Sequence, residues 1–442
     1  MAEPARPGQT AARPAAGPAG QRPVSPPGGT AASLRPAAPP GGSGRPATPS
    51  SISPFATPPT PGAAPMGAAG TPFEYRNVLQ ELVKRGASDL HLKVGRPPAL
   101  RISGDLTPLD NPPLRPEDLR FIAEQLMTPK QIQEFVEFKE CDFALGVPGI
   151  GRFRVNAYQQ RGTIAFAFRT IAFQAQTVEE LHLPSIIGDI AMRPRGLVLV
   201  TGVTGSGKST ALAAMIHHIN INRRANVITI EDPIEFLHRD INCNINQREI
   251  GTDTGNFGQA LRRVLRQDPD VILIGEIRDM ETLDTALKAA DTGHLVFSTL
   301  HTTDATQTIN RVLSFYPPHQ QSEVRFMLSS ALQAVISLRL VPRMDKPGRI
   351  PAAEILINTA AVRDNVLDMS RSLNIPDLIK EGTVQYGMQT FDQSLMQWYS
   401  QGVVSYDNAL FYATNPTEFA LKVQGVAASS DTTWDAFTGS QA

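Results

Sequence analysis

The first periodic pattern of apolar residues along the chain lies just after residue 72. Apolar positions recur there at three- and four-residue spacing, which predicts an amphipathic helix that stops at Gly86. Its members are Tyr75, Val78, Leu79, Leu82 and Val83. Residues 87–93 then alternate between apolar and polar, as a strand with one buried face does. The other predicted elements are a strand over 99–102, helices beginning at 114 and covering 129–138, and antiparallel strands over 143–145, 151–158 and 164–170. We therefore expect a small α+β domain over residues 73–171.

The pattern changes after a short polar connection over residues 172–177. Four short, nearly continuous apolar runs follow, separated by stretches of helical periodicity, and they cover residues 197–201, 226–230, 271–274 and 295–300. Such runs become strands buried on both faces, and their alternation with helices predicts a parallel sheet. With a further strand over 352–357, this gives an α/β domain over residues 178–358. The helical periodicities over 359–423 predict a C-terminal helical bundle.

The two ends of the chain lack such periodicity. Residues 1–70 consist mainly of Pro, Ala, Gly, Ser and Thr, which offer too little apolar surface to offset the entropy of ordering, so we predict a disordered tail. The alternative is a proline-rich docking segment, because the run Pro58-Pro59-Thr60-Pro61 favours the extended polyproline conformation. Residues 427–442 are predicted to form a loose polar tail.

Charge and cysteine content limit the possible functions. The 442 residues carry 41 basic and 42 acidic side chains, so no overall field gathers nucleic acid, and we expect no direct nucleic-acid partner. Cys141 and Cys243 are too few for a disulfide framework or a four-cysteine zinc site, and they fit a reducing cytoplasm. Nowhere do 18 apolar residues run together, so we expect membrane contact only through a partner.

The segment from Gly202 to Ser209 carries the strongest chemical signal. It fits the pattern Gly-x-x-x-x-Gly-Lys-Ser/Thr, between a predicted strand and a predicted helix over 210–221. Glycines let such a loop wrap around phosphate with its N–H groups facing inward, while Lys208 contacts the outer phosphates and Ser209 offers a hydroxyl to Mg²⁺. The predicted ligands are therefore ATP and Mg²⁺. Their candidate contacts are Gly202, Val203, Thr204, Gly205, Ser206, Gly207, Lys208, Ser209 and Thr210.

Carboxylates follow two of the predicted strands. Glu276 ends the run that begins at Val271, and a carboxylate placed there beside a phosphate loop holds Mg²⁺ or polarises the attacking water. Glu231 and Asp232 end another predicted strand. We expect Glu231 to position water and Asp232 to support the site or contact a neighbouring subunit. The alternatives are a solvated strand end for Glu276 and a cap of the following turn for the other two.

Two histidines and three arginines complete the candidates from the residue pattern. His294 and His301 lie before and after one predicted strand, seven residues apart, so they cannot share a metal ion within it. Both are candidate nucleotide contacts, and His301 ends that strand at the edge of the phosphate loop, where an imidazole can sense the terminal phosphate. Arg262, Arg266 and Arg278 are expected to group beside the acidic strand end, either as a solvated face or as a contribution to a neighbour's phosphate.

Four segments give the chain a family resemblance. They are the phosphate loop, Ile230-Glu-Asp-Pro-Ile-Glu-Phe236, Asp268-Pro-Asp-Val-Ile-Leu-Ile-Gly-Glu-Ile-Arg-Asp279 and Gly293-His through His301-Thr. They resemble the Walker A, Asp box, Walker B and His box of the secretion ATPases, over about residues 73–423. The resemblance implies a RecA-like P-loop ATPase core preceded by a PAS-like domain, assembly as a homohexamer, and nucleotide-contacting arginines at Arg154 and Arg169.

Three further segments resemble the PilT branch, whose members retract type IV pili. They are Ala87-Ser-Asp-Leu-His-Leu92, Arg152-Phe-Arg-Val-Asn-Ala157 and Pro194-Arg-Gly-Leu-Val-Leu-Val-Thr-Gly202. The resemblance implies ATP hydrolysis that drives pilus retraction through an inner-membrane platform protein, from the cytoplasmic face of that membrane. One stretch departs from the branch, since Ala361-Val-Arg-Asp-Asn-Val-Leu-Asp368 stands where related proteins have Ala-Ile-Arg-Asn-Leu-Ile-Arg-Glu.

Three other functions stay open on the sequence. A pilus assembly or type II secretion ATPase is the alternative within the family, and it is disfavoured because those proteins usually carry a four-cysteine zinc module. An accessory nucleotide-binding regulator of retraction is motivated by the altered stretch at 361–368. A DNA translocase is weakened by the near-neutral charge and by the lack of interleaved aromatic and basic residues.

Overall fold

The computed structural model describes residues 73–102, 104–171, 175–368 and 374–425. The tails predicted over 1–70 and 427–442 lie outside the described residues, as do residues 172–174 of the predicted connection. Those predictions therefore stay predictions.

The first part of the described chain is an antiparallel sheet of six strands with three helices. Its elements are α1 (Tyr75–Lys84), β1 (Asp89–Leu92), β2 (Ala99–Ile102), β3 (Asp105–Pro108), α2 (Pro116–Leu126), α3 (Pro129–Phe138), β4 (Glu140–Val147), β5 (Gly151–Gln160) and β6 (Thr163–Ile171). The strand order is β3-β2-β1-β6-β5-β4. The helices and strands predicted from periodicity in this region are confirmed.

Local sequence signals explain where several of these elements begin and turn. The side chain of Thr128 accepts a hydrogen bond from the backbone N–H of Gln131, and the side-chain oxygen of Gln131 accepts one from the backbone N–H of Thr128, so a capping box starts α3. The two tight connections of the β4-β5-β6 meander contain Gly149 and Gly162, with φ of 78° and 79°. The interior of this part is filled by large side chains such as Phe153.

The second part is built around a seven-stranded sheet. Its elements are α4 (Ile186–Ala191), β7 (Gly196–Thr201), α5 (Lys208–Asn222), β8 (Asn226–Glu231), β9 (Asn244–Glu249), α6 (Phe257–Val264), β10 (Val271–Ile274), α7 (Met280–Asp291), β11 (Leu295–Leu300), α8 (Ala305–Ser314), α9 (Gln321–Ala331), β12 (Leu332–Pro342) and β13 (Arg349–Ile357), with a 3₁₀ turn at Pro318–Gln320. The order is β13-β12-β7-β11-β10-β8-β9, and only the β12–β13 pair is antiparallel.

The four predicted apolar runs form the centre of this sheet, as β7, β11, β10 and β8. Every residue of β7, β10 and β11 is buried, which confirms the prediction of strands covered on both faces. Because these strands are parallel, their carboxyl ends meet at one edge. Two strands of the sheet were not predicted. β9 is a polar edge strand with no apolar alternation, and β12 follows α9 without an intervening turn signal.

Apart from an isolated bridge between Gln389 and Ile355, the regular elements described after β13 are helices. They are α10 (Ala360–Leu367), α11 (Ile375–Glu381), α12 (Thr383–Tyr386), α13 (Phe391–Ser400), α14 (Tyr406–Tyr412) and α15 (Pro416–Val423). A separate apolar cluster that includes Phe391 and Phe419 packs α13, α14 and α15 on Val341 and Ile350 of the β12–β13 pair, whereas α11 packs on the main core through Ile375 and Ile379. α10 is attached differently, since the guanidinium of Arg325 on α9 donates to its Val366 carbonyl at 2.8 Å. Within the described ranges, no helix combines the length and the apolarity needed to cross a membrane.

Candidate nucleotide-binding site

The phosphate loop connects β7 to α5 and is held in an unusual backbone conformation. Gly202 has a φ of 141°, and a Cβ atom there would lie 2.6 Å from the Leu338 carbonyl oxygen and would also meet the Ser206 hydroxyl. Only glycine fits a position this close to β12. Gly207 precedes the helix with a φ of 95°, so the loop turns directly into the N-terminus of α5. The partial positive charge of that helix end therefore faces the loop.

Lys208 is the first residue of α5 and is 8% exposed. Its Nζ donates hydrogen bonds to the carbonyl oxygens of Gly202 and Val203, at 2.8 and 3.1 Å. Burial lowers the pKa of this amine, while the nearby charge of Glu276 acts in the opposite direction. The Lys208 ammonium is thus held by the carbonyls of the phosphate loop itself.

A cavity of about 630 Å³ opens beside the loop, at the carboxyl edge of the sheet. It brings together ten of the predicted residues: Thr204, Gly205, Gly207, Lys208, Ser209, Thr210, Glu231, Asp232, Glu276 and His301. Thr170 of β6 also lines it, so the antiparallel part of the molecule reaches the edge of the cavity. The volume and the polar groups at the phosphate end are those of a nucleotide-sized pocket.

Glu276 lies at the centre of a small charged network in this cavity. Its Oε2 is 3.3 Å from Nε2 of His301, and its Oε1 forms an ion pair with Arg278. Arg278 also approaches Asp232, at 3.9 Å. Burial alone raises the pKa of Glu276, but the hydrogen bond and charge of Arg278, together with His301, outweigh burial and hold it below 4.5. Glu276 is consequently a carboxylate at neutral pH.

Glu231 is in a different environment. Its carboxylate accepts hydrogen bonds from the hydroxyl of Thr229 at 2.6 Å and from the amide of Gln247 at 3.2 Å. Burial nonetheless raises the pKa of Glu231, because these bonds and one from the backbone do not offset the loss of solvation. Two carboxyl groups in one cavity therefore have pKa values displaced in opposite directions, a pattern typical of acid–base sites.

Several predicted residues lie elsewhere. His294 stands before β11, at the amino edge of the sheet, where its Nδ1 is 2.9 Å from the Ala289 carbonyl, and it does not line the cavity of its own chain. Of the three arginines expected beside the acidic strand end, Arg278 lies there, next to Glu276 and Asp232. Arg262 instead pairs with Glu281 on α7 at 3.0 Å, and Arg266 is exposed beyond α6, so no ion pair joins either one to Glu276 or Asp232 among the described residues.

The N-terminal arginines form a pair on the antiparallel sheet. Arg154 and Arg169 are Cα partners in the β5–β6 register, and both side chains are exposed. Arg169 bonds to Asp89 at 2.9 Å. Neither lines the cavity within the single chain. Gly202, Val203 and Ser206 belong to the loop but do not line the cavity either.

Comparison with known proteins is decisive for the family. A model described as type II/IV secretion system protein matches residues 161–375. The type IV pilus retraction ATPase PilT of Pseudomonas aeruginosa is 46% identical over 347 residues, which is 78% of this chain and 100% of that protein. The chain belongs to the PilT-like secretion ATPases.

Other PilT-like proteins match over a similar extent. The type IV pilus ATPase PilU of Pseudomonas aeruginosa is 42% identical over 352 residues, covering 80% of this chain and 92% of PilU. A crystal structure of the pilus retraction motor PilT with bound ADP superposes with a TM-score of 0.72 at 43% identity, over 78% of this chain and 98% of that one. The predicted fold class, an α/β RecA-like ATPase core with a small N-terminal domain and a helical C-terminal region, is thereby confirmed.

Pattern reasoning on this PilT-like ATPase missed Gln247, Glu249 and Arg152. Gln247 binds Glu231, and Glu249 is a buried carboxylate that pairs with Arg152 at 3.0 Å. Gln247 and Glu249 lie on β9. The polar sequence of β9 did not predict a strand, so the sequence did not predict that these residues lie near Glu231. The acidic end of β9, directly in register with Glu231, is a signal only once the strand pairing is known.

Proposed function

We propose that this chain is a motor that retracts type IV pili by hydrolysing MgATP. The observation that carries the proposal is the meeting of Lys208, Glu276 and His301 in one cavity, in a chain that aligns with the whole length of PilT. The ion pairs and hydrogen bonds around Glu276 hold its carboxylate in place before any substrate arrives. Preorganised charge of this kind supplies much of the rate enhancement in phosphoryl transfer.

The chain's own residues suggest a division of labour. On ATP binding, the Lys208 ammonium would break its hydrogen bonds to the two loop carbonyls and donate to phosphate oxygens instead. Hydrogen bonds between charged groups are the stronger ones. Glu276, ionised at neutral pH, would accept a hydrogen bond from the attacking water, and His301 would orient that carboxylate. Glu231 would hold water through its second oxygen and keep its own geometry through Thr229.

The donor set at the loop also suits Mg²⁺. Ser209 supplies a hydroxyl oxygen and Glu276 a carboxylate oxygen, and hard oxygen ligands are those that Mg²⁺ prefers. When bound there, Mg²⁺ neutralises charge that develops on the phosphate oxygens. Among the described residues, no group of three or more His, Cys, Asp and Glu side chains forms a metal site by itself, which fits an ion shared with the nucleotide.

The five candidate arginines are all exposed on the single chain. We propose a homohexamer in which Arg154 and Arg169, with Arg262, Arg266 and Arg278, contact nucleotide at subunit boundaries, so that hydrolysis depends on a neighbour. His294 is retained only as a possible contact across such a boundary. The motor would work in the cytoplasm, at the inner face of the cytoplasmic membrane, against a pilus platform protein and without direct contact to nucleic acid or lipid.

Complementation in cells tests the proposal. A strain lacking the protein is expected to carry excess surface pili and to lose twitching motility, with rescue by the wild type and not by Lys208→Ala. Bald cells would instead indicate an assembly ATPase. Unchanged cells would indicate an accessory role, and either outcome would overturn the retraction motor.

A further inference from the structure

One buried ion pair connects the antiparallel sheet to the ATPase sheet. Nη2 of Arg152 on β5 lies 3.0 Å from Oε2 of Glu249, the last residue of β9. The side chains are 23% and 5% exposed, respectively. Burial of a carboxylate this complete is costly unless charge and hydrogen bonds compensate for it. The ion pair with Arg152 compensates for the burial of the Glu249 carboxylate, and it links the position of β5 to that of β9.

Glu249 holds more than the arginine. The same Oε2 accepts the backbone N–H of Ile234 at 3.2 Å, and Oε1 accepts the hydroxyl of Thr252 at 3.3 Å. Ile234 lies in the loop that leaves β8, two residues after Asp232 and three after Glu231. Glu231 is also the Cα partner of Glu249 in the β8–β9 register. The Glu249 side chain thus holds the Ile234 end of the short segment that carries two cavity carboxylates, while backbone pairing of β8 with β9 holds the Glu231 end.

The arginine end of the pair is equally well placed. Arg154 is two residues further along β5, hence on the same face of the strand, and it is the register partner of Arg169. Anchoring Arg152 therefore orients the face of the antiparallel sheet that carries these two arginines. Loss of the pair would release that face and the Ile234 loop together.

We propose that Arg152 and Glu249 are positioning residues for hydrolysis: their ion pair couples the placement of the N-terminal sheet to the loop that holds Glu231 and Asp232. The role rests on the proposed function, since it needs ATP hydrolysis at this cavity. Neither residue contacts the cavity, and each acts through its neighbours. A displacement of catalytic groups by about 1 Å costs up to about 100-fold in rate. A shift of the segment that carries Glu231 and Asp232 should therefore have a measurable effect on turnover.

The test compares kcat and KM for MgATP in the full-length assembled protein. Arg152→Met, Glu249→Gln and the double variant are expected to lower kcat about 10- to 100-fold and to leave KM within about threefold. The double variant should be no worse than either single one, because both remove the same link. Arg85→Met is the matched control. It breaks an Arg–Glu pair of 2.8 Å in the same part of the chain, 47% and 36% exposed, and is expected to leave kcat within about twofold.

Further measurements separate a positioning role from general packing. Glu249→Gln keeps the side-chain volume and an acceptor for the Ile234 N–H. If Arg152→Met is insoluble, kcat and KM of Glu249→Gln test the proposal instead. Arg152→Lys keeps the positive charge and should retain more of kcat than Arg152→Met. A lower melting temperature with wild-type kcat in these variants would overturn the positioning role and leave the motor intact. A wild-type protein without MgATPase activity would overturn the proposed function itself.

Discussion

Replacing Glu354 by glutamine should stabilise the protein at alkaline pH. Glu354 lies on β13 and is 7% exposed, and its Oε1 accepts the backbone N–H of Ala305 at the start of α8, at 2.8 Å. Burial raises its pKa to about 7, and the charges of Asp304 and Asp392 add to the increase. The Ala305 hydrogen bond and the charge of Arg339 act in the opposite direction without cancelling it.

The sign of the effect follows from proton binding. The native carboxyl keeps its proton up to about pH 7, whereas in the unfolded chain it loses it near the ordinary value of 4.5. Between these values the native state binds more protons, so Glu354 becomes increasingly destabilising as pH rises, and the penalty is complete above about pH 7. The difference between the two pKa values corresponds to about 3 kcal/mol at pH 8 and to about 1 kcal/mol at pH 5.

Glutamine cannot ionise, and its carbonyl oxygen can still accept from Ala305. Thermal unfolding, followed by circular dichroism, should show the ATPase-domain transition of Glu354→Gln about 6–12 °C above wild type at pH 8, and only about 2–4 °C above it at pH 5. Glu323 is an exposed acid on α9. Glu323→Gln serves as the control, and its melting temperature should equal that of the wild type at both pH values. A variant that melts below wild type at pH 8 would refute the reasoning, since it would mean that the ionised Glu354 gains more from Arg339 than it loses by burial.

Three other substitutions test the site. Lys208→Ala should reduce ATPase activity by about 100-fold or more and weaken nucleotide binding in a fluorescence titration, because it removes the buried cation of the loop, and retained binding would contradict its role. Glu276→Gln should lower kcat about 100-fold while nucleotide still binds, and normal turnover would end its assignment as the catalytic carboxylate. Gly202→Ala should destabilise the protein by about 1–3 kcal/mol in thermal melts, since its Cβ would lie 2.6 Å from a carbonyl oxygen. Gly205→Ala is its control, with positive φ but no atom within 4 Å, and equal melting of the two variants would argue against the close contact.

The parts of the site that depend on local sequence were predictable. The phosphate loop needs glycines and a lysine at fixed spacing, and Glu276 and Glu231 follow apolar runs whose burial the pattern already indicated. Parallel strands bring their carboxyl ends together, so the cavity itself followed from the order of strand and helix. These inferences use neighbours in the chain, where periodicity is informative.

The remainder depends on contacts between distant segments. β9 is polar because it lies at the sheet edge, so no periodicity predicted it. Its residues Gln247 and Glu249 were therefore not predicted as part of the site. The partner of Glu249 is 97 residues away, a separation that leaves no trace in spacing. Arg262 and Arg278 have different acidic partners for a related reason, since the pair of Arg262 with Glu281 is a contact between two helices that sequence spacing does not reveal.

The most direct measurement of the central proposal is retraction itself. Fluorescently labelled pili would be followed by live imaging in a deletion strain that expresses wild type, Glu276→Gln or Lys208→Ala at matched levels. We expect pili to extend in all three strains and to retract only with the wild type. Normal retraction in the Glu276→Gln or Lys208→Ala strain would contradict the proposal that hydrolysis in this cavity drives the motor.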